Sequence, residues 1–413
     1  MRARLLVLGL AALCLSIDCA RHVDDSDASL YTVVARHLVE DGSWTQLRYL
    51  DDVHPVYREH LPFGVWPLAA TIRVFGEAAL PWTSALWTLL TIALVIELGA
   101  RWKDLDFGVR AGLLLATTER FIAFGALPRL DPALIFFSLG ACVPFVLQRR
   151  DLPALVLAVV SASIACLIKG PFGLVLPLGA ALAVAVSARD WRWLGVGALV
   201  AVLAVLPVAL FLWRSDDSWL DGYLRAQLLA SATGARVDGE TAWWFPFWAV
   251  GALFWPWLPL SVLALWLGRK QPFLAAWSLA VLVALALAGR KLPHHVLLAF
   301  PVLALLAASS LEHLPRLLRD GLLGLCFLIG PAATWLNPPP RAAVCTTLAD
   351  TFRALPAGTR VAVVADPAGR HWRELATLAR DYRLRPLLIA TPELKPVGVA
   401  GVLRFEDEWR WSP

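Results

Sequence analysis

Residues 152–188 read LPALVLAVVSASIACLIKGPFGLVLPLGAALAVAVSA, and Lys169 is the one charged side chain in the stretch. Split at Lys169-Gly170-Pro171, it gives two apolar blocks, 152–168 and 171–188. Each is near the length that crosses a bilayer core as a helix, roughly 20 residues at a rise of 1.5 Å. A chain that puts two such blocks back to back, with a lysine in the turn, is a membrane protein that folds back on itself.

The same pattern extends in both directions. About eleven apolar blocks follow one another at 4–20, 79–99, 108–127, 131–147, 152–168, 171–188, 193–213, 244–267, 273–289, 294–311 and 317–336. Of the 413 residues, 59% are hydrophobic and 17% charged, with a mean hydropathy of +0.65. A soluble domain has about 45–50% apolar and about 25% charged residues, so one large soluble enzyme is excluded. The net charge of +5 does not point to nucleic acid, because short loops hold most of the cations. Many of the 20 Trp flank the blocks (Trp82, Trp87, Trp102, Trp191, Trp193, Trp243, Trp244, Trp255, Trp257), as interfacial anchors do. The six Cys (Cys14, Cys19, Cys142, Cys166, Cys326, Cys345) have no metal-ligand spacing and read as small apolar residues.

The connections alternate. One set is short and basic: Arg2/Arg4, Arg101/Lys103/Arg110, Arg149/Arg150, Arg189/Arg192, Arg269/Lys270 and Arg316/Arg319. These face the cytoplasm by the positive-inside rule. The first block has no small-x-small cleavage site after it and is expected to stay as a helix. The outward set is then a long first loop (about 21–78), turns at 128–131, 168–171 and 289–294, a loop at 214–243 and the C-terminal tail. Within the first loop, 28–39 and 63–75 have apolar residues at helical spacing and are expected to lie in the membrane interface. The tail begins after Pro338-Pro339-Pro340 and reads helix 342–354, strand 360–365, helix 370–382, strand 386–390 and strand 399–405. The expected fold is a polytopic α-helical membrane protein of about eleven transmembrane helices. Interfacial helices occupy its first outward loop (residues 21–78), within a transmembrane domain over 1–336. A small outward-facing α/β domain covers 341–413.

Ionisable groups at membrane helix ends are expensive and mark function by default. Five features meet that description, all on the outward side. Asp27 follows the first block, four residues before Tyr31; it also reads as the N-cap of the helix at 28–39. Arg129-Leu130-Asp131-Pro132 sits in a tight turn, where Asp131 reads as both cap and functional acid. Lys169-Gly170-Pro171 breaks the cation rule and adjoins a helix N-terminus, a setting for phosphate. Arg290-Lys291-Leu292-Pro293-His294-His295 packs cations and histidines into one turn, and adjacent histidines do not make a metal site. Glu59-His60-Leu61-Pro62-Phe63 closes the first loop.

The order of these motifs resembles the GT-C membrane glycosyltransferases, in the branch that holds the lipid A aminoarabinose transferase and the protein O-mannosyltransferases. Asp27…Tyr31 followed by Gly42-Ser43-Trp44 resembles that branch's D-E-x-x-Y…G-D-W opening. Glu59 to Trp66 looks like its K-P-P-L-x-x-W, and Arg129-Leu130-Asp131 with Phe136-Phe137 like its (R/T)-x-D…F-F. Lys169-Gly170-Pro171-Phe172-Gly173-Leu174 is similar to its K-G-P-x-G-L, the most specific of the series. Trp243-Trp244-Phe245 with Pro256-Trp257 resembles W-Y-Y…P-W, and Lys291-Leu292-Pro293-His294-His295 with Pro301 resembles K-x-P-x-Y…P. The resemblance spans about residues 1–315. Departures are Ala28, Leu30, Ser43, His60 and His295 at positions where the motifs carry Glu, Arg, Asp, Lys and Tyr.

The resemblance implies transfer of a sugar from a polyprenyl-phosphate donor to a lipid, such as a lipopolysaccharide lipid, or to a protein. Transfer would take place on the outer face of the inner membrane, with inversion at the anomeric carbon. It assigns Asp27 as the base, and Asp131 to orient the acceptor or Asp27 or to act on the sugar. Lys169, Lys291 and His60, with Arg236 from the 214–243 loop, would hold the donor phosphate. Tyr31, Glu59, His294 and His295 are candidates for substrate contacts. The sequence calls for no cofactor and offers no metal ligand set; it sets neither a metal requirement nor an oligomeric state. A transporter or flippase of lipid-linked sugars shares the lipid groove and outward cations. It needs ionisable groups at the midplane and access from both leaflets, however, and the short inner loops hold no such set. A non-catalytic assembly subunit draws on Ala28, Leu30 and His60, and Asp27, Asp131 and Lys169 speak against it.

Overall fold

The computed structural model describes residues 2–20, 25–49, 56–236, 239–266, 271–336, 349–364, 378, 380, 384–389, 399–405 and 409–412. Four helical stretches are long and apolar enough to cross a membrane: Glu77–Trp102, Leu152–Ala188, Arg192–Arg214 and Pro293–Leu311. The second of them is not straight. It runs as a helix over Leu152–Lys169, tightens to a 3-10 turn over Gly170–Leu174 and resumes as a helix over Val175–Ala188. A side chain at Gly173 would start 2.7 Å from the Ala165 backbone, so the chain doubles back here, with Gly170 at φ +63. The lysine is left at the bend, as the sequence pattern predicts.

Phe300–Leu311 is the central helix, with all of its residues buried. Its two serines do not look for distant partners; Ser309 and Ser310 donate to the carbonyls of Leu306 and Ala307. That satisfies buried hydroxyls inside one helix, where no water is at hand. Leu80–Trp102 packs against Leu105–Ala116 at backbone distance. A side chain at Gly108 would start 2.2 Å from the Ile96 carbonyl oxygen, so only glycine admits the approach. Arg192–Arg214 is at the periphery and leaves Leu199, Val202, Leu206, Leu210 and Trp213 exposed, an apolar face suited to lipid.

Three expected blocks are split. Block 108–127 breaks at Thr117-Thr118, whose hydroxyls donate back to the Leu113 and Leu114 carbonyls. Block 131–147 forms Asp131–Gly140 and Val143–Val146. Block 244–267 forms Phe245–Leu253 and Leu258–Trp266, parted around Pro256, which has no N–H to continue a ladder.

The first-loop helices run over Ser26–Asp41 and Pro62–Phe75 and pack on each other. The former stops at Gly42, which takes the left-handed conformation at φ 67. Arg36 leaves this helix to pair with Glu77 at 2.5 Å and to donate to the Arg380 carbonyl at 2.8 Å, tying the first loop to the tail. In the tail, β1 (Arg360–Val364) lies between β2 (Arg385–Ile389) and β3 (Val399–Phe405), parallel to both. A further strand, β4 (Trp409–Ser412), adds antiparallel to β3 and was not expected. The helix expected over 342–354 is described only as Ala349–Arg353. The helix expected over 370–382 falls outside the described residues apart from Leu378 and Arg380, as do the Pro338-Pro339-Pro340 run, Arg269/Lys270 and Cys345.

Candidate active site

The site is built from turns that the helices hold together. Asp25 caps the helix at Ser26–Asp41, its carboxylate accepting from the Ala28 amide at 2.8 Å. The sequence offers Asp27 for that task, but Asp25 performs it and Asp27 is left in the first turn with its carboxylate free to face inward. Asp131 differs in the same way. The residue before its helix is Leu130, with no side-chain cap, and the Asp131 carboxylate turns to cations instead.

Arg129 is the hub. Its side chain is 2% exposed, and Nη1 donates to the two Asp25 oxygens at 3.0 and 2.8 Å. Nη2 pairs with Asp27 Oδ2, and Nε lies 3.4 Å from Asp131 Oδ2. The other Asp131 oxygen accepts from Lys169 Nζ at 2.8 Å. His294 Nε2 stands 3.9 Å from Asp27 Oδ2. Burial works against the Arg129 guanidinium, but Asp27, Asp25 and Asp131 outweigh it and hold its pKa above the ordinary value. Three carboxylates thus share two cations from separate turns.

A cavity of about 390 Å³ opens beside this network. Asp27, Tyr31, Glu59, His60, Lys169, His294 and His295 all contribute to its wall, so seven of the expected site residues meet in one place. Tyr31 Oη and His60 Nε2 share a hydrogen bond at 3.0 Å. Burial, then Lys169, pushes the His60 imidazole down to about 3, so it meets a ligand as a neutral ring rather than as a cation. The His295 ring packs tilted against Phe172 and accepts from the Leu292 amide at 3.3 Å, which fixes its own turn.

Lys291 and Arg236 are placed differently. Lys291 is buried and its ammonium donates to the Thr241 and Ala288 carbonyls at 2.8 and 2.6 Å. It clamps the 214–243 loop onto the 289–294 turn, together with the paired Glu240 and Lys291 backbones and the Arg290 amide on the Ser231 carbonyl at 2.8 Å. Its neighbour Arg290 lines the cavity in its place. Arg236 bonds Gln227 and lies 3.3 Å from Glu59, both cavity residues, and so sits one layer behind the wall. Among the described residues no group of three or more His, Cys, Asp or Glu is placed to hold a metal ion.

The sequence reading did not single out Asp25, Tyr57, Tyr223 or Arg290 as site residues, and it quoted Arg129 only as motif. Arg129 was legible by the argument used for Lys169: a cation in a tight outward turn breaks the orientation rule. Tyr223 was not, because it lies on a π-helical stretch, Leu220–Leu229, whose inward face follows no ordinary helical spacing.

The whole architecture has solved counterparts. The crystal structure of ArnT from Cupriavidus metallidurans bound to undecaprenyl phosphate superposes with a TM-score of 0.72 at 17% identity, covering 98% of this chain and 93% of that one. The Archaeoglobus fulgidus oligosaccharyltransferase in the apo form superposes at 0.55 and 16% identity, over 94% of this chain and 64% of that one. The chain has the GT-C fold. No protein-family model matches it. Its sequence is similar to the undecaprenyl phosphate-alpha-4-amino-4-deoxy-L-arabinose arabinosyl transferase of Pseudomonas paraeruginosa, 29% identical over 306 residues, 69% of this chain and 55% of the relative. The protein of the same name from Pseudomonas aeruginosa is 28% identical over 312 residues, 70% of this chain and 56% of the relative. In sequence, then, this chain spans about half the length of the curated relatives it matches.

Proposed function

We propose that this GT-C chain is an inner-membrane glycosyltransferase. It takes a pentosyl or hexosyl unit from a polyprenyl-phosphate donor and passes it to a lipid acceptor of the lipid A kind, with a protein as the alternative acceptor. Residues 1–336 form the catalytic domain of about eleven crossings, with the site on the extracytoplasmic face, and 341–413 form an outward-facing α/β domain. The observation that carries the reading is the cavity itself. Its wall holds both a partly exposed carboxylate, Asp27, and Lys169, whose ammonium pairs with the buried Asp131.

The chemistry follows from that geometry. Lys169 and Arg290 supply positive charge for a lipid phosphate that departs with an added charge. Asp27, its direction fixed by Arg129, takes the proton of the acceptor nucleophile as the anomeric bond forms. Asp131 keeps Lys169 and Arg129 in register. His60, His294 and Tyr31 offer neutral hydrogen-bonding groups around the reacting centre. Apolar wall residues such as Leu30, Phe172, Val175 and Leu228 suit the first segments of a prenyl chain, whose burial contributes about 0.8 kcal/mol per CH₂. A single displacement inverts the anomeric carbon.

The test is transfer by the purified protein in proteoliposomes supplied with undecaprenyl phosphate-4-amino-4-deoxy-L-arabinose and lipid A, read as a mass shift of the lipid. Wild type transfers and Asp27→Asn does not. A wild-type protein that binds the donor yet never modifies any lipid or protein acceptor contradicts the assignment.

A further inference from the structure

Two hydroxyl groups in the cavity wall are unaccounted for by the chemistry above. Tyr223 is 3% exposed, and Ser231 lies on the helix that follows the π-helical stretch. Both line the cavity. The oxygen of each is buried, and neither makes a hydrogen bond among the described residues. A hydroxyl carries one donor and two acceptor sites, and buried ones are nearly always paired. Two unpaired ones on consecutive elements, both belonging to side chains that line the same cavity, point to a ligand that pairs them once they turn toward it.

Their positions say which ligand group. Tyr223 Oη abuts the Lys169-Gly170 turn; a side chain at Gly170 would start 2.4 Å from it. Ser231 is fixed to the other cation, since its carbonyl accepts from the Arg290 amide at 2.8 Å. Each of the two residues therefore adjoins the backbone beside one of the two cations proposed to take the phosphate. The charge of the phosphate is met by those cations, which donate and do not accept. What remains is a need for groups that both donate and accept, beside the phosphate, and a sugar ring meets it.

We propose that Tyr223 and Ser231 are specificity-determining residues whose hydroxyls bond the transferred sugar of the lipid-phosphate donor. The inference rests on the glycosyltransferase reading and goes beyond it by naming the wall that reads the sugar. It also explains why residue 170 lacks a side chain: any other residue would push Tyr223 away from the Lys169 turn.

The probes are undecaprenyl phosphate and undecaprenyl phosphate-4-amino-4-deoxy-L-arabinose, with binding measured on the full-length protein in nanodiscs. Tyr223→Phe keeps the ring and removes one unpaired oxygen, so thermal stability without ligand stays the same or rises. Its affinity for the glycosylated donor falls about tenfold, one hydrogen bond's worth, while its affinity for undecaprenyl phosphate is unchanged. Ser231→Ala behaves likewise. An equal loss for both lipids makes the hydroxyls phosphate contacts and overturns the proposal. Wild-type affinity for both lipids in Tyr223→Phe and Ser231→Ala also overturns it. Should wild type bind neither lipid, the glycosyltransferase reading itself fails, and that outcome is distinct from the other two.

Discussion

Replacing Arg129 by Met tests the charge network at its hub. In the wild type three carboxylates (Asp25, Asp27, Asp131) face two cations, Arg129 and Lys169. The substitution leaves three against one. Removing one partner of a buried ion pair costs about 3–5 kcal/mol, because the charges left behind are neither solvated nor matched. Asp131 keeps Lys169, and the Asp25 and Asp27 side chains are 20% and 36% exposed, so water relieves part of the penalty. The expected loss is therefore at the low end, about 3 kcal/mol, by denaturant unfolding in mixed micelles. A second substitution gives the diagnostic sign. Asp25→Asn keeps a competent N-cap. In the wild-type background it removes a partner of Arg129 and destabilises; beside Arg129→Met it removes a repelling carboxylate and stabilises relative to that variant. A loss below about 1 kcal/mol for Arg129→Met, or one sign for Asp25→Asn in both backgrounds, refutes the network as described.

The remaining expectations concern other parts of the molecule. Asp131→Asn and Lys169→Met each destabilise, and the double variant loses less than their sum, by a coupling of about 0.5–3 kcal/mol in a double-mutant cycle. His60 has a folded pKa pushed down to about 3 against an unfolded value near 6.5, so its stabilising effect is complete above about pH 6.5 and declines as pH falls toward 3. In that window stability drops by up to about 1.4 kcal/mol per pH unit on this account, and His60→Gln makes the pH profile shallower by that slope. Gly108→Ala forces a methyl group against the Ile96 carbonyl and costs about 1–3 kcal/mol in thermal unfolding, without a specific effect on donor affinity.

The helical architecture was legible because membrane helices announce themselves by length and by the sign of the charges between them. The bend at Lys169-Gly170-Pro171 was readable for the same reason, since a lone lysine between two apolar blocks has few places to go. The helix breaks at Thr117-Thr118 and around Pro256 were not, because an apolar block keeps its composition across a short interruption. At the site, the sequence brought forward residue types that look costly in a membrane, and Asp27, Asp131, Lys169 and His294 do meet. It named Asp27 as the cap of a helix starting at residue 28, whereas the helix starts at Ser26 and Asp25 caps it, and only the folded chain says which carboxylate Arg129 leaves accessible. The sequence could not tell Lys291 from Arg290. Two adjacent cations in a turn point in different directions, and the pairing of Glu240 with Lys291 across the 214–243 loop decides which one is taken up by backbone carbonyls.

The position of the donor's phosphate tests the account most directly, and a cryo-EM map of the protein with undecaprenyl phosphate bound would show it. The phosphate is expected within hydrogen-bonding reach of Lys169 Nζ and the Arg290 guanidinium, with the first prenyl units along Phe172 and Val175. A phosphate lodged instead in the basic pocket formed by Arg101, Trp102 and Arg149, or anywhere out of reach of Lys169, would contradict it.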